Sequence, residues 1–102
     1  MKDPRLEPDA VKIDPNAVEM ASIWIANGGL HCSLKIGMYE DEGNIDERRA
    51  WGIMMSDVIG HVSDGLSQAY GYDRSESVKL ILESLLKEVD IPTSDLRGFF
   101  AD

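Results

Sequence analysis

The sequence predicts a small two-layer α/β chain of the α+β type, a β-hairpin or three-stranded sheet packed against two helices in the order β-β-α-α. Three patterns predict it: two apolar runs that flank Asn27-Gly28-Gly29, a long amphipathic segment after them, and a second amphipathic segment that stops before Pro92. With 102 residues, 43% apolar and 28% charged, the chain is expected to build one hydrophobic core.

Residues 1–16 carry Pro4, Pro8 and Pro15 among alternating charges, which predicts an extended N-terminal arm. Val11 and Ile13 alternate with Lys12 and Asp14, so residues 10–14 read as a short edge strand. The α+β domain occupies 17–92, and 93–102 form a C-terminal tail that packs on the domain or on a partner.

The hairpin is the clearest element. Asn27 and Gly28 tolerate the positive φ of a two-residue turn, which pairs Ile23 and Ile25 with the face carrying Leu30, Cys32 and Leu34. A three-residue turn would reverse the faces. The shorter turn leaves Trp24 on the second face, in need of cover from the arm, the tail or another chain.

Helical periodicity then runs from Asn44 to Tyr70, with Asn44 and Glu47 at capping-box spacing and Gly71 beyond the end. Trp51, Met55, Val58, Ile59, Val62, Leu66 and Ala69 share one arc. Beside it Gly52, Ser56, Gly60, Ser63 and Ser67 form a stripe almost without side-chain volume. Gly52, Gly60 and Gly65 each sacrifice about 1 kcal/mol of helix stability relative to alanine. Close approach by another backbone explains the first two, either a neighbour in the same chain or a symmetric helix in a dimer. Asp73 and Glu76 open a second helix that ends near Val89; Val78, Ile81, Leu82, Leu85, Leu86 and Val89 form its buried face, and Leu80 is an apolar misfit.

Chemistry-bearing patterns are weak. Asp57, His61 and Asp64 share a helix face opposite the apolar arc, where water rather than a metal is expected. The acidic run Glu40–Glu47 fails as a calcium loop, because Met38 and Arg49 fall where the first and last ligands belong. Cys32 faces the apolar side of its strand and His31 the other, which argues against a thiol nucleophile. No catalytic, cofactor or metal residues are assigned, and the chain is expected not to be an enzyme. A single cysteine excludes an internal disulfide, and the start of the chain shows no apolar signal segment, so a cytoplasmic protein is expected. The net charge of −9 makes nucleic acid and anionic membranes poor partners.

The stretch from Trp24 through Asn27-Gly28-Gly29 to Asp41, followed by Ala50-Trp51-Gly52, resembles a family of short bacterial proteins classed as a domain of unknown function. The likeness covers about residues 18–70 and implies a free-standing small protein. It brings no activity and no site residues. The reading from the residues is a non-enzymatic protein-interaction module acting as a homodimer, with Trp24, Gly52, Ser56, Gly60, Leu80, Phe99 and Phe100 as interaction residues. Its rival is a small-molecule or metal-binding domain that uses Asp57, His61 and Asp64 or the acidic loop.

Overall fold

A computed structural model describes residues 6–92 and 98–101. Strands β1 (Ala21–Ala26) and β2 (Gly29–Lys35) are antiparallel, with Ile23 opposite Cys32 and Ile25 opposite Leu30. Asn27 and Gly28 alone make the turn, at φ of 50° and 76°, the doubly positive pair that matches the twist of the flanking strands. The shorter turn and its register are the expected ones.

The third strand is not where the alternation placed it. Residues 10–14 do not pair with the sheet: Asp9–Ile13 instead form the short helix α1 after Pro8. Local bonding wins there, since Val11 N–H donates to the Pro8 carbonyl at 3.1 Å and Lys12 lies 3.6 Å from Asp9. Strand β3 comes from the predicted tail, Gly98–Ala101, and pairs with β2 in parallel, Cys32 opposite Gly98 and Lys35 opposite Ala101. The sheet order is β1-β2-β3, so the sheet is mixed rather than wholly antiparallel. A parallel strand requires a long crossover, and the helices supply it. Residues 93–97 of the tail, and the side chains of Phe99 and Phe100, lie outside the described residues.

The crossover contains α2 (Met38–Glu42), α3 (Glu47–Tyr70) and α4 (Arg74–Asp90). The cap of α3 is Asp46 rather than Asn44, because the Asp46 carboxylate accepts from Arg48 N–H at 2.9 Å and binds the Arg48 guanidinium at 2.7 Å. Gly71, at φ 72°, ends α3. Asp73 accepts from Glu76 N–H at 3.0 Å and opens α4, which stops before Pro92. Helix α3 packs against α4 and, near its start, against α2.

The hairpin, the end of α3 and the start of α4 follow the sequence, but burial does not. Among the described residues Ala50 is the one buried apolar residue, joined by Ser63 and Ser77. The faces expected to be internal stay open: Ile25 is 85% exposed, Leu86 65% and Val89 73%. Met55, Val58 and Val62 on α3 are exposed as well, while Trp51, Ile59 and Leu66 are half-buried. No described element covers them. The chain exposes 8728 Å², whereas a compact monomer of this mass exposes about 5,700 Å². Setting aside the eleven residues outside the description, at the area an unfolded stretch of that length exposes, still leaves an excess of about 1,700 Å². The radius of gyration, 15.6 Å, exceeds the roughly 12.8 Å of a compact chain of this length.

Candidate interaction surface

Helices α3 and α4 form a hairpin whose connected end is closed. Arg74, the first residue of α4, reaches back across α3 and donates to Asp64 at 2.6 Å. Its path crosses Gly60: a Cβ built there would lie 3.3 Å from an Arg74 guanidinium nitrogen. The neighbour is the tip of a flexible, half-exposed side chain, so a shift of a few tenths of an ångström by Arg74 makes room for a methyl group there. Ser63 and Ser77, one on each helix, are buried in this region, and the Ser63 hydroxyl has no hydrogen-bond partner among the described residues.

The other end of the hairpin is open. A Cβ at Gly52 would meet nothing within 4 Å, so the described residues give no reason for a glycine in this exposed helix interior. Gly52 and Ser56 form a smooth saddle with a hollow on each side. One hollow is lined by Ile45, Arg49 and Ile53; the other is lined by Met55, Ile59, Leu82 and Leu85 and runs on to Gly60 and Arg74 at the closed end. No carboxylate lines either hollow, although the chain carries 19 acidic side chains.

Glu47 holds the base of this surface in place. Its carboxylate accepts from the backbone N–H groups of Gly37, Tyr39 and Glu40, at 3.1, 2.8 and 3.1 Å, and from the Trp51 indole at 2.8 Å. Gly37 has φ 108° and offers α2 no side-chain cap, so a carboxylate from the next helix satisfies donors that would otherwise be orphaned. Those bonds, led by the one from Gly37 N–H, hold the Glu47 carboxyl below the usual glutamate range, against the opposing effect of desolvation. The sequence spacing assigns Glu47 a different task, as the partner of Asn44. Its four-residue spacing to Trp51 was the one available sign of this bond; the reach to α2 had none.

The remaining residues singled out by sequence are dispersed. Trp24 lies on β1 opposite His31 and is 38% exposed. Leu80 is 54% exposed on α4. Asp57 and His61 form an exposed pair at 3.1 Å, while Asp64 is drawn away to Arg74, so the three do not converge. Among the described residues no group of three or more His, Cys, Asp or Glu side chains is placed to hold a metal ion. No helix among them is long and apolar enough to cross a membrane.

The chain thus belongs to the class of small α+β proteins whose helical hairpin and mixed sheet leave broad apolar faces uncovered. A family model described as Domain of unknown function (DUF5076) matches residues 6–93, and the chain belongs to that family. Among curated proteins none matches the sequence. A solved structure from the photosynthetic bacterium Rhodopseudomonas palustrus CGA009, which carries the provisional name pyruvate dehydrogenase, is similar at a TM-score of 0.66. The similarity covers 93% of both chains at 21% sequence identity, and it establishes a shared fold alone.

Proposed function

We propose that this protein is a non-enzymatic interaction module that acts as a homodimer and, once assembled, binds a protein partner. The observation that carries the reading is the excess of exposed area. Stable interfaces bury about 800 Å² per partner, and obligate homodimers about 1,000–2,500 Å². The excess of about 1,700 Å² per chain, part of it from the exposed stretch 6–18, is of the order of the second range. The uncovered groups include the aliphatic faces of β1, α3 and α4 together with Leu6 and Ile13 near the N-terminus, and transfer of such groups out of water drives association. A cytoplasmic setting suits the single thiol, Cys32, and the acidic surface disfavours nucleic acid as the partner.

Light scattering on the purified chain tests the homodimer directly. The expected mass is twice the 11.3 kDa of one chain, with a melting temperature that rises with protein concentration. A mass of 11.3 kDa at high micromolar concentration, with a concentration-independent transition, overturns it.

A further inference from the structure

The homodimer reading leaves open what aligns the two copies. We propose that the outer edges of their β1 strands pair antiparallel about a two-fold axis at Ile23, joining two three-stranded sheets into one. The inference rests on the homodimer reading above.

Backbone bonding leaves that edge open. Lys35 N–H donates to the Met20 carbonyl at 2.9 Å, so Met20 and Lys35 form a hydrogen-bonded pair of the antiparallel ladder. Such pairs alternate along a ladder, and the register therefore turns the backbone groups of Ser22, Trp24 and Ala26 toward β2. Ala21, Ile23 and Ile25 turn their N–H and C=O groups outward. Among the described residues β1 has β2 as its one strand neighbour. Edge strands are ordinarily guarded by a lysine, a proline or a bulge. Ala21–Ala26 carries no charged residue and no proline, and its pairing with β2 runs without a bulge. The opposite edge strand, β3, has four residues to the six of β1.

The occupant is a second copy because the strand matches itself. Outward groups pair only with outward groups. An axis at Ile23 sets Ile23 against the partner's Ile23, and Ala21 against the partner's Ile25, so every outward residue of the strand finds one. Moving the axis to Ser22 or Trp24 sets one of them opposite a residue outside the strand. The side chains agree with the same axis: the exposed Ile25 meets a small alanine, and the two exposed Ile23 side chains form a β-branched cross-strand pair. On the other face Trp24 lies beside the partner's Ser22 and gains the cover that the register within one chain denies it. Charge permits the approach. A chain of net charge −9 repels its own copy over most of its surface, whereas here Glu19, the carboxylate next along β1, falls opposite the neutral Asn27 of the partner subunit.

Single-cysteine crosslinking tests the axis. Cys32, opposite Ile23 on β2, is first replaced by serine so that no disulfide forms within the chain. Ile23→Cys is then expected to give a covalent dimer on mild oxidation, because a hydrogen-bonded antiparallel pair has Cα atoms about 5.5 Å apart, inside disulfide range. Ala26→Cys places its two copies about 20 Å apart along the strands and stays uncrosslinked. Ile23→Pro removes an outward N–H and no bond to β2, and is expected to weaken the dimer by roughly tenfold or more in light scattering. Ile23→Lys keeps the backbone intact and sets like charges against each other at the axis, so it weakens the dimer as well. Circular dichroism confirms that both variants keep the wild-type fold. A dimeric wild type with no crosslink at position 23, with equal crosslinking at 23 and 26, or with a dimer that neither variant weakens, overturns the edge pairing and leaves the homodimer standing. A monomeric wild type removes both.

Discussion

Replacing Gly65 and Gly52 separately with alanine makes the structure commit to opposite signs. Both glycines sit inside α3, and an added Cβ at either meets nothing within 4 Å in the same chain. Helix propensity alone therefore credits each substitution with about 0.8–1.0 kcal/mol. In a domain of 60–100 residues that is a rise in melting temperature of about 4–8 °C. Gly65→Ala, off the saddle, is expected to show this rise in full. On the homodimer reading Gly52→Ala puts a methyl group on an open face of α3 that a second copy covers, so it is expected to lose the rise and to lower the transition at low protein concentration. Thermal denaturation followed by circular dichroism at two concentrations reads both effects. Equal stabilisation at 52 and 65 refutes close approach at Gly52.

Three further outcomes follow from single residues. Ser63→Ala is expected to raise stability by about 1 kcal/mol, since a buried unpartnered hydroxyl carries a penalty of about 1–3 kcal/mol; a loss in urea denaturation contradicts the unpaired assignment of its Oγ. Gly28→Ala, at φ 76°, is expected to destabilise by about 1–2 kcal/mol through left-handed strain, and an unchanged urea midpoint counts against the turn geometry. Glu47 has a depressed folded-state pKa, so its contribution is fully present above the ordinary glutamate value and is lost as pH falls through the lower folded value. The amide resonances of Gly37 and Tyr39 and the Trp51 indole are expected to titrate together in that acid range, and Glu47→Gln abolishes the shared titration; independent midpoints break the assignment.

Local chemistry explains which parts of the fold the sequence disclosed. The Asn27-Gly28 turn, the Asp73 cap and the Gly71 terminus are each set by residues within a few positions of one another, and each stands as expected. Where two local options competed, the pattern misled. Val11 and Ile13 alternate like a strand, but the Pro8 carbonyl and the Asp9–Lys12 pair close a helical turn first. Asn44 has the right spacing to Glu47, yet Glu47 is recruited by α2 donors from a separate element. The candidate surface was half legible. Small residues at 52, 56 and 60 share a stripe, but the structure sets only Arg74 near Gly60 and, among the described residues, nothing near Gly52. Burial was the least legible, because periodicity tells which residues share a face and not whether one copy suffices to cover it.

The pairing of β3 with β2 fixes an order of events in folding. The β1–β2 hairpin and the α3–α4 pair each form from neighbouring sequence, on the fast timescale of local contacts. Cys32 and Gly98 meet only after the whole helical excursion between them has been gathered in, so the sheet closes late and the outer rim of β2 stays unpaired until then. Crowded, slowly maturing chains are thus exposed to strand exchange along that rim, a hazard that passes once Gly98–Ala101 is seated.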